Sequence, residues 1–392
     1  MNKLFETCSI GPVRLRNRTI RAAAFEGMCP GHAPSPALVA YHRAVAEGGV
    51  GMTTVAYAAV ERSGLSFAHQ LWLRPEIVPA LRELTDAVHA AGARASIQIG
   101  HCGDMAKAAV AGGTAIAPSA HFNLYGPNWA RAMDLRDIER VVASFGRAVE
   151  LARDAGFDAV EVHAGHGYLI SQFLSPATNH RRDAYGGPLE RRLRFLREVM
   201  ARVKAAARDD LAVLVKMNLR DGFPGGMELD EAIAVARTLE QDGADALVLS
   251  GGFVSRAPMY IMRGAMPLDV MSRGMALALR AGVKLFGRYL VPPVAYAENY
   301  FLADALELKR AVRVPCVYIG GAASRAAIDE VLSHGFVAVA MARALIRDPA
   351  FVRRLAEADA SPAVCDHCNY CAARIYTTTM ACHHHQPPQG PA

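Results

Sequence analysis

Short apolar runs alternate with longer amphipathic stretches along this chain. The runs span residues 19–24, 50–58, 95–100, 159–163, 212–218, 246–250, 316–320 and 337–341. Their length and apolar content are those of strands buried on both faces. Helical patterns fall between them. One begins after Ser35-Pro36, where proline suits a first turn, and another runs from Pro75 to the stop signal at Gly92. Others cover 134–155, the stretch after Pro188, Glu228 to Gly243, 301–312, the stretch after Ser324 and a last helix near Asp348-Pro349. Eight such β-then-α units predict an α/β fold of the closed (β/α)8 TIM-barrel type. The rival, an open doubly wound sheet, calls for a glycine-rich fingerprint after its first strand, and 19–28 has none.

Three departures from the repeat complete the plan. Residues 6–16 precede the first strand and fit an N-terminal hairpin covering the barrel floor. The connections 102–133 and 251–299, after the third and sixth strands, are too long for turns, and long loops on this face of a barrel carry function. From Ser361 the chain leaves the repeat. The expected organisation is a barrel over 1–360, then a cysteine-rich extension over 361–392 ending in a disordered tail at 386–392.

A composition of 52% hydrophobic and 20% charged residues is that of a soluble globular protein with ample core. The net charge of +6 is spread without a dense Lys/Arg block, which argues against a nucleic-acid partner. No run approaches a membrane span, and residues 1–12 lack a secretory h-region. Cys8, Cys29, Cys102 and Cys316 are scattered, whereas Cys365, Cys368, Cys371 and Cys382 cluster. Clustered cysteines without a secretion signal point to metal or redox chemistry in a reducing compartment, so the cytoplasm is the expected location.

Candidate chemistry gathers where a barrel would place it, at the carboxyl ends of strands. Glu26 follows the first strand, Gln98 and His101 end the third, and His163, His166 and Tyr168 end the fourth. Two imidazoles and a phenol at the end of a buried strand need partners there. Together they offer two donors for a developing oxyanion and a phenol able to deliver a proton. Lys216 lies inside the fifth run, where an ammonium requires an anion, either a ligand or a neighbouring carboxylate. Gly251 and Gly252 end the sixth run, Gly320 and Gly321 the seventh, and Arg343 follows the eighth. Glycine amides, a helix starting near Ser324 and a guanidinium suit a phosphate. The assembled site fits a planar phosphorylated cofactor with substrate stacked on it.

At these residues the chain resembles the old yellow enzyme family of FMN-dependent ene-reductases, also described as NADH:flavin oxidoreductases. Within it the likeness is nearest the branch that includes 2,4-dienoyl-CoA reductase. The resemblance runs from Leu4 to about Leu355 and is most specific in HAGHGYLISQFLSPATNHRRDAYGGPLERRLRFL. LRNRTIRAAAFEGM, SIQIGHCGD and YIGGAASRAAIDEVLSHGFVAVAMARALIRDPAFVRRL support it. It implies that Ala23, Ala24, Gln98, Lys216 and Gly251 border the flavin, and that Gly320, Gly321, Ala342 and Arg343 hold its phosphate. His163 and His166 would bind the carbonyl oxygen of an enone or enoyl substrate. Hydride from NAD(P)H would reach the β-carbon by way of FMN, and Tyr168 would protonate the α-carbon. Lys216 stands where many relatives have arginine, and Ala342-Arg343 where Gly-Arg is commoner.

The same resemblance implies a [4Fe–4S] cluster on Cys365, Cys368, Cys371 and Cys382, although C-x2-C-x2-C-x10-C is one residue short in two gaps of that pattern. His367 and the histidines at 383–385 make zinc an alternative, and free thiols are the third. Two other functional readings stay open at this point. One is a lyase or aldolase using Lys216 for a Schiff base. The other is an electron-transfer protein with flavin and cluster but no turnover of its own, fed by an external donor. A homo-oligomer is compatible with all three.

Overall fold

The computed structural model describes residues 3–123, 127–275, 277–357, 361–375 and 377–383. Eight parallel strands close into a barrel in sequence order: β1 Thr19–Arg21, β2 Met52–Ala59, β3 Arg94–Gly100, β4 Ala159–Ala164, β5 Ala212–Asn218, β6 Ala246–Ser250, β7 Cys316–Tyr318 and β8 Ala338–Met341. β8 pairs with β1, with Ala340 opposite Ile20, and closes the ring. The (β/α)8 barrel is thus the architecture that the alternating pattern predicts.

Alternation along each strand separates two cores. Odd positions such as Val213 and Val215 of β5 and even ones such as Val160 and Val162 of β4 pack outward under the helices. Their neighbours Ala159, Ala212, Leu214, Ala246, Val248 and Ala338 fill the lower barrel. The same inner cluster includes Cys8, Ile10, Val13 and Leu15. These belong to the antiparallel strands Cys8–Ile10 and Val13–Leu15, which plug the floor with one buried and one exposed face, as the hairpin reading expects. A plugged floor leaves the opposite rim for chemistry.

The two long connections have structure of their own. After β3, the strands Ile116–Ala117, His121–Asn123 and Asn128–Ala132 form a small sheet. After β6 come the helices Pro258–Met262, Leu268–Met271 and Leu277–Leu290. Between β4 and the helices Leu189–Arg192 and Arg194–Ala207 lies a buried helix, Leu169–Leu174, that the apolar pattern does not announce.

Two strands are shorter than the sequence suggests. β1 stops at Arg21 because its buried guanidinium holds the Ala24 carbonyl (3.0 Å) and Glu26 (2.7 Å), drawing the chain back across the strand end. β7 stops at Tyr318 because the Gly320 carbonyl is taken by the Tyr300 amide (3.0 Å) and the Tyr318 hydroxyl (3.1 Å). The extension beyond Ser361 lies against the barrel: the Ala363 amide donates to Ala323 O (2.7 Å), and the Met380 amide to Glu26 O (2.8 Å). The expected tail at 386–392 lies outside the described residues. Among those described, no helix is long and apolar enough to cross a membrane.

Candidate active site

Inward-facing positions on β3, β4 and β5 place three polar side chains at one level of the barrel. Gln98 sits opposite Glu161, and Lys216 opposite His163. Lys216 Nζ lies 2.8 Å from Glu161 Oε1, and Gln98 Nε2 donates to the same oxygen at 2.6 Å. Lys216 is only 1% exposed, so its charge depends on this carboxylate. An ammonium held in that pair is not a free amine nucleophile, which removes the structural basis of the Schiff-base reading. Glu161 is the functional residue that sequence reasoning missed. Its signal was present: a carboxylate of the same strand parity as His163, two residues earlier in an otherwise apolar run.

One layer higher, His163, His166 and Tyr168 stand together as expected. The His163 and Tyr168 ring centres are 4.3 Å apart, and those of His163 and His166 are 5.1 Å apart, edge to face. Tyr57, from β2, meets Tyr168 edge-on at 5.0 Å. His163 Nδ1 accepts from the Gly165 amide at 3.4 Å, which leaves Nε2 to carry the proton. His166 Nε2 shares a 2.7 Å hydrogen bond with Ser250 Oγ. Its backbone, at φ +59°, is fixed by the Asn218 side chain, which accepts from the His166 amide (2.9 Å). Burial pushes both imidazoles toward the neutral form. For His163 the neighbouring His166 and then Lys216 add to this, and for His166 Lys216 does, holding it at about 3.

At the far side of the rim, Gly320 and Gly321 turn the chain after β7. Gly321 has φ +88°, and a Cβ there would come within 2.7 Å of the Tyr300 ring. Their carbonyls are engaged, that of Gly321 by the Tyr296 hydroxyl at 2.6 Å, so this turn offers its amides. Arg343 follows Ala342 at the end of β8 and donates to Asn369 Oδ1 at 2.9 Å. Ser324 caps the helix that follows it by accepting from the Ala327 amide (3.1 Å), and Glu298 accepts from the Ala323 amide (2.9 Å) and the Ser324 hydroxyl (2.8 Å), so a carboxylate stands beside that helix end.

Other strand-end residues serve the scaffold. Glu26 binds Arg21 and the Ala56 amide beneath the loop that carries Ala23 and Ala24. His101 binds Ser63 (2.9 Å) and the Gly103 amide (3.0 Å). Gly251 packs tightly, with an added Cβ 3.1 Å from Phe301. Cys365, Cys368, Cys371 and Cys382 line one cavity of about 20 Å³ beside Arg343 and Arg347. Among the described residues, no three His, Cys, Asp or Glu side chains converge as a metal site.

If the Lys216–Glu161 pair sustains the floor, Glu161→Gln strands a buried ammonium and costs about 3–5 kcal/mol. Adding Lys216→Met to Glu161→Gln recovers most of that loss. Chemical denaturation measures both, and a single-variant loss under about 1 kcal/mol contradicts the account.

The donor set fits FMN: an amide and a cation on the floor, two imidazoles and a phenol on the wall, and the Gly320-Gly321 turn with the Arg343 guanidinium at the far side, where a phosphate would sit. Residues 3–284 match the NADH:flavin oxidoreductase / NADH oxidase family. The chain is 40% identical over 377 residues to the 4,4'-dithiodibutanoate disulfide reductase of Rhodococcus erythropolis, covering 96% of this chain and 94% of that one. Its fold superposes on 2-naphthoyl-CoA reductase with a TM-score of 0.82 at 23% identity, over 97% of this chain and 56% of that longer one. It also superposes on the old yellow enzyme homologue of Zymomonas mobilis with a TM-score of 0.74 at 23% identity, over 96% and 97% of the two chains. The chain belongs to the NADH:flavin oxidoreductase family, that of old yellow enzyme, whose members are oxidoreductases that bind FMN and use NAD(P)H.

Proposed function

We propose that the protein reduces the C=C bond of an α,β-unsaturated carbonyl compound. The observation that carries this reading is the packed trio of His163, His166 and Tyr168 above the Gln98–Glu161–Lys216 floor. Bound FMN supplies the hydride, which originates from NAD(P)H. The protein's own groups do the rest. His163 Nε2–H points a neutral donor at the carbonyl oxygen, and His166 provides the second. Both strengthen their hydrogen bonds as charge grows on that oxygen, where stabilisation accelerates chemistry. The Tyr168 hydroxyl gives its proton to the α-carbon as hydride reaches the β-carbon, so the product gains one hydrogen at each. Lys216 keeps a positive charge under the reacting layer, and Glu161 keeps it from being a bare buried ion.

The 40%-identical relative named for a disulfide favours a second acceptor class. A disulfide would take two electrons and two protons to give two thiols, without needing a carbonyl-binding pair. Single-turnover reoxidation of the reduced enzyme by 2-cyclohexenone and by 4,4'-dithiodibutanoate separates the two. The enone reading fails if only the disulfide reoxidises the enzyme.

Replacing Tyr168 with Phe slows reoxidation by the enone about 10²–10⁴-fold while reduction by NAD(P)H stays within about twofold. Equal losses in both half-reactions exclude the proton-donor role. The pH dependence follows from the neutral imidazoles. With the His166 value lowered to about 3 and His163 also lowered, neither gains a proton as pH falls through the ordinary histidine range. The enone reoxidation rate is therefore flat from about pH 5 to about pH 8. An inflection near the usual histidine value that disappears in His163→Asn or His166→Asn contradicts neutral donors.

A further inference from the structure

The helix Leu277–Leu290, in the excursion after β6, exposes apolar surface that nothing in the chain covers. Among the described residues, nine large apolar side chains stand exposed, and five of them lie on this helix. They are Leu277, Leu285, Phe286, Tyr289 and Leu290, each between 59% and 84% exposed. A concentration of this kind on one element marks a binding surface rather than ordinary scatter. The helix is nonetheless seated on the protein. Val283 is buried, and a Cβ added at Gly287 would meet the Leu268 side chain at 2.8 Å. Beyond its end, Gly264 and Val294 exchange backbone hydrogen bonds of 2.6 and 3.0 Å, which tie the segment back to the rim.

The order of residues around the helix gives the surface a direction. At about 100° per residue, Val283 and Gly287 form the seam toward the protein, and Leu285 falls opposite that seam. Tyr289 and Phe286 lie on one flank of Leu285, and Arg288 and Lys284 on the other. The charges all have one sign. From Val270 to Ala297 the chain holds Arg273, Arg280, Lys284 and Arg288 but no Asp or Glu. None of these four cations enters an ion pair among the described residues. An outward apolar ridge with cations along one side and a tyrosine on the other is the pattern of a helix lying in a charged interface.

We propose that this helix docks the enzyme on an anionic lipid surface, with Leu285, Phe286 and Tyr289 entering the headgroup boundary and Lys284 and Arg288 meeting the lipid phosphates. Charge complementarity favours lipid over a second copy, since a second copy of the helix would bring cations to cations. Size favours it too. A strip about 21 Å long and one helix wide falls short of the about 800 Å² per side that a stable protein interface buries. The helix belongs to the rim that carries the active site, so docking turns that rim toward the bilayer. The proposal holds whichever acceptor the enzyme reduces.

The test sediments the flavin-loaded enzyme with vesicles of phosphatidylcholine alone, or with about one third phosphatidylglycerol. The bound fraction is at least about tenfold higher on the anionic vesicles at about 0.1 M salt and falls severalfold at about 0.5 M. Lys284→Gln combined with Arg288→Gln lowers binding to the anionic vesicles about tenfold. Leu285→Ser combined with Tyr289→Ser lowers it about tenfold as well. Both double variants keep their flavin absorbance and their rate of reduction by NAD(P)H within about twofold of wild type, because these side chains stand in solvent. Absence of vesicle binding by wild type overturns the proposal, as does equal binding to both vesicle types. Binding that neither double variant weakens overturns it also. If wild type forms a lipid-free dimer that Leu285→Ser with Tyr289→Ser splits, and ignores vesicles, the face joins copies of this chain and the lipid proposal falls.

Discussion

The ion pair between Lys216 and Glu161 is the constraint on which the site depends. A barrel interior lined by Ala159, Leu214 and Val248 solvates a charge poorly, so the ammonium is tolerated there against a carboxylate. Gln98 donates to the same carboxylate oxygen and fixes its direction. The positive charge then acts upward. Burial is the main reason that His163 and His166 stay neutral donors, and the Lys216 charge adds to it in the same direction. The ion pair below thus reinforces the chemical state of two residues on the layer above.

The two ends of the rim are organised separately. His166 is held by Ser250 and Asn218, from β6 and β5, while Arg343, after β8, is held by Asn369 of the extension beyond Ser361. The extension accordingly has a structural task whatever its four cysteines bind. Asn369 reaches Arg263 and Arg343, and the Met380 amide ties the same segment to the loop after β1.

Much of this was legible in the chain. Apolar runs at 212–218 and 246–250 coincide with β5 and β6, because strands buried on both faces leave an unbroken signature. The trio at the end of β4 was visible because polar groups at a buried strand end are conspicuous. Glu161 was overlooked because a single carboxylate in an apolar strand reveals its purpose only when the facing residue of β5 is known. Glu298 gave no local signal for a similar reason: it is 26 residues from Ser324 and reaches the start of that helix only through the fold.

The most direct measurement of the central claim is the position of isotope in the product. With unlabelled NAD(P)H in deuterated water, 2-cyclohexenone reduced by this enzyme carries deuterium at the α-carbon and ordinary hydrogen at the β-carbon. Deuterium acquired enzymatically at the β-carbon, or a product in which the C=C bond remains, contradicts the account.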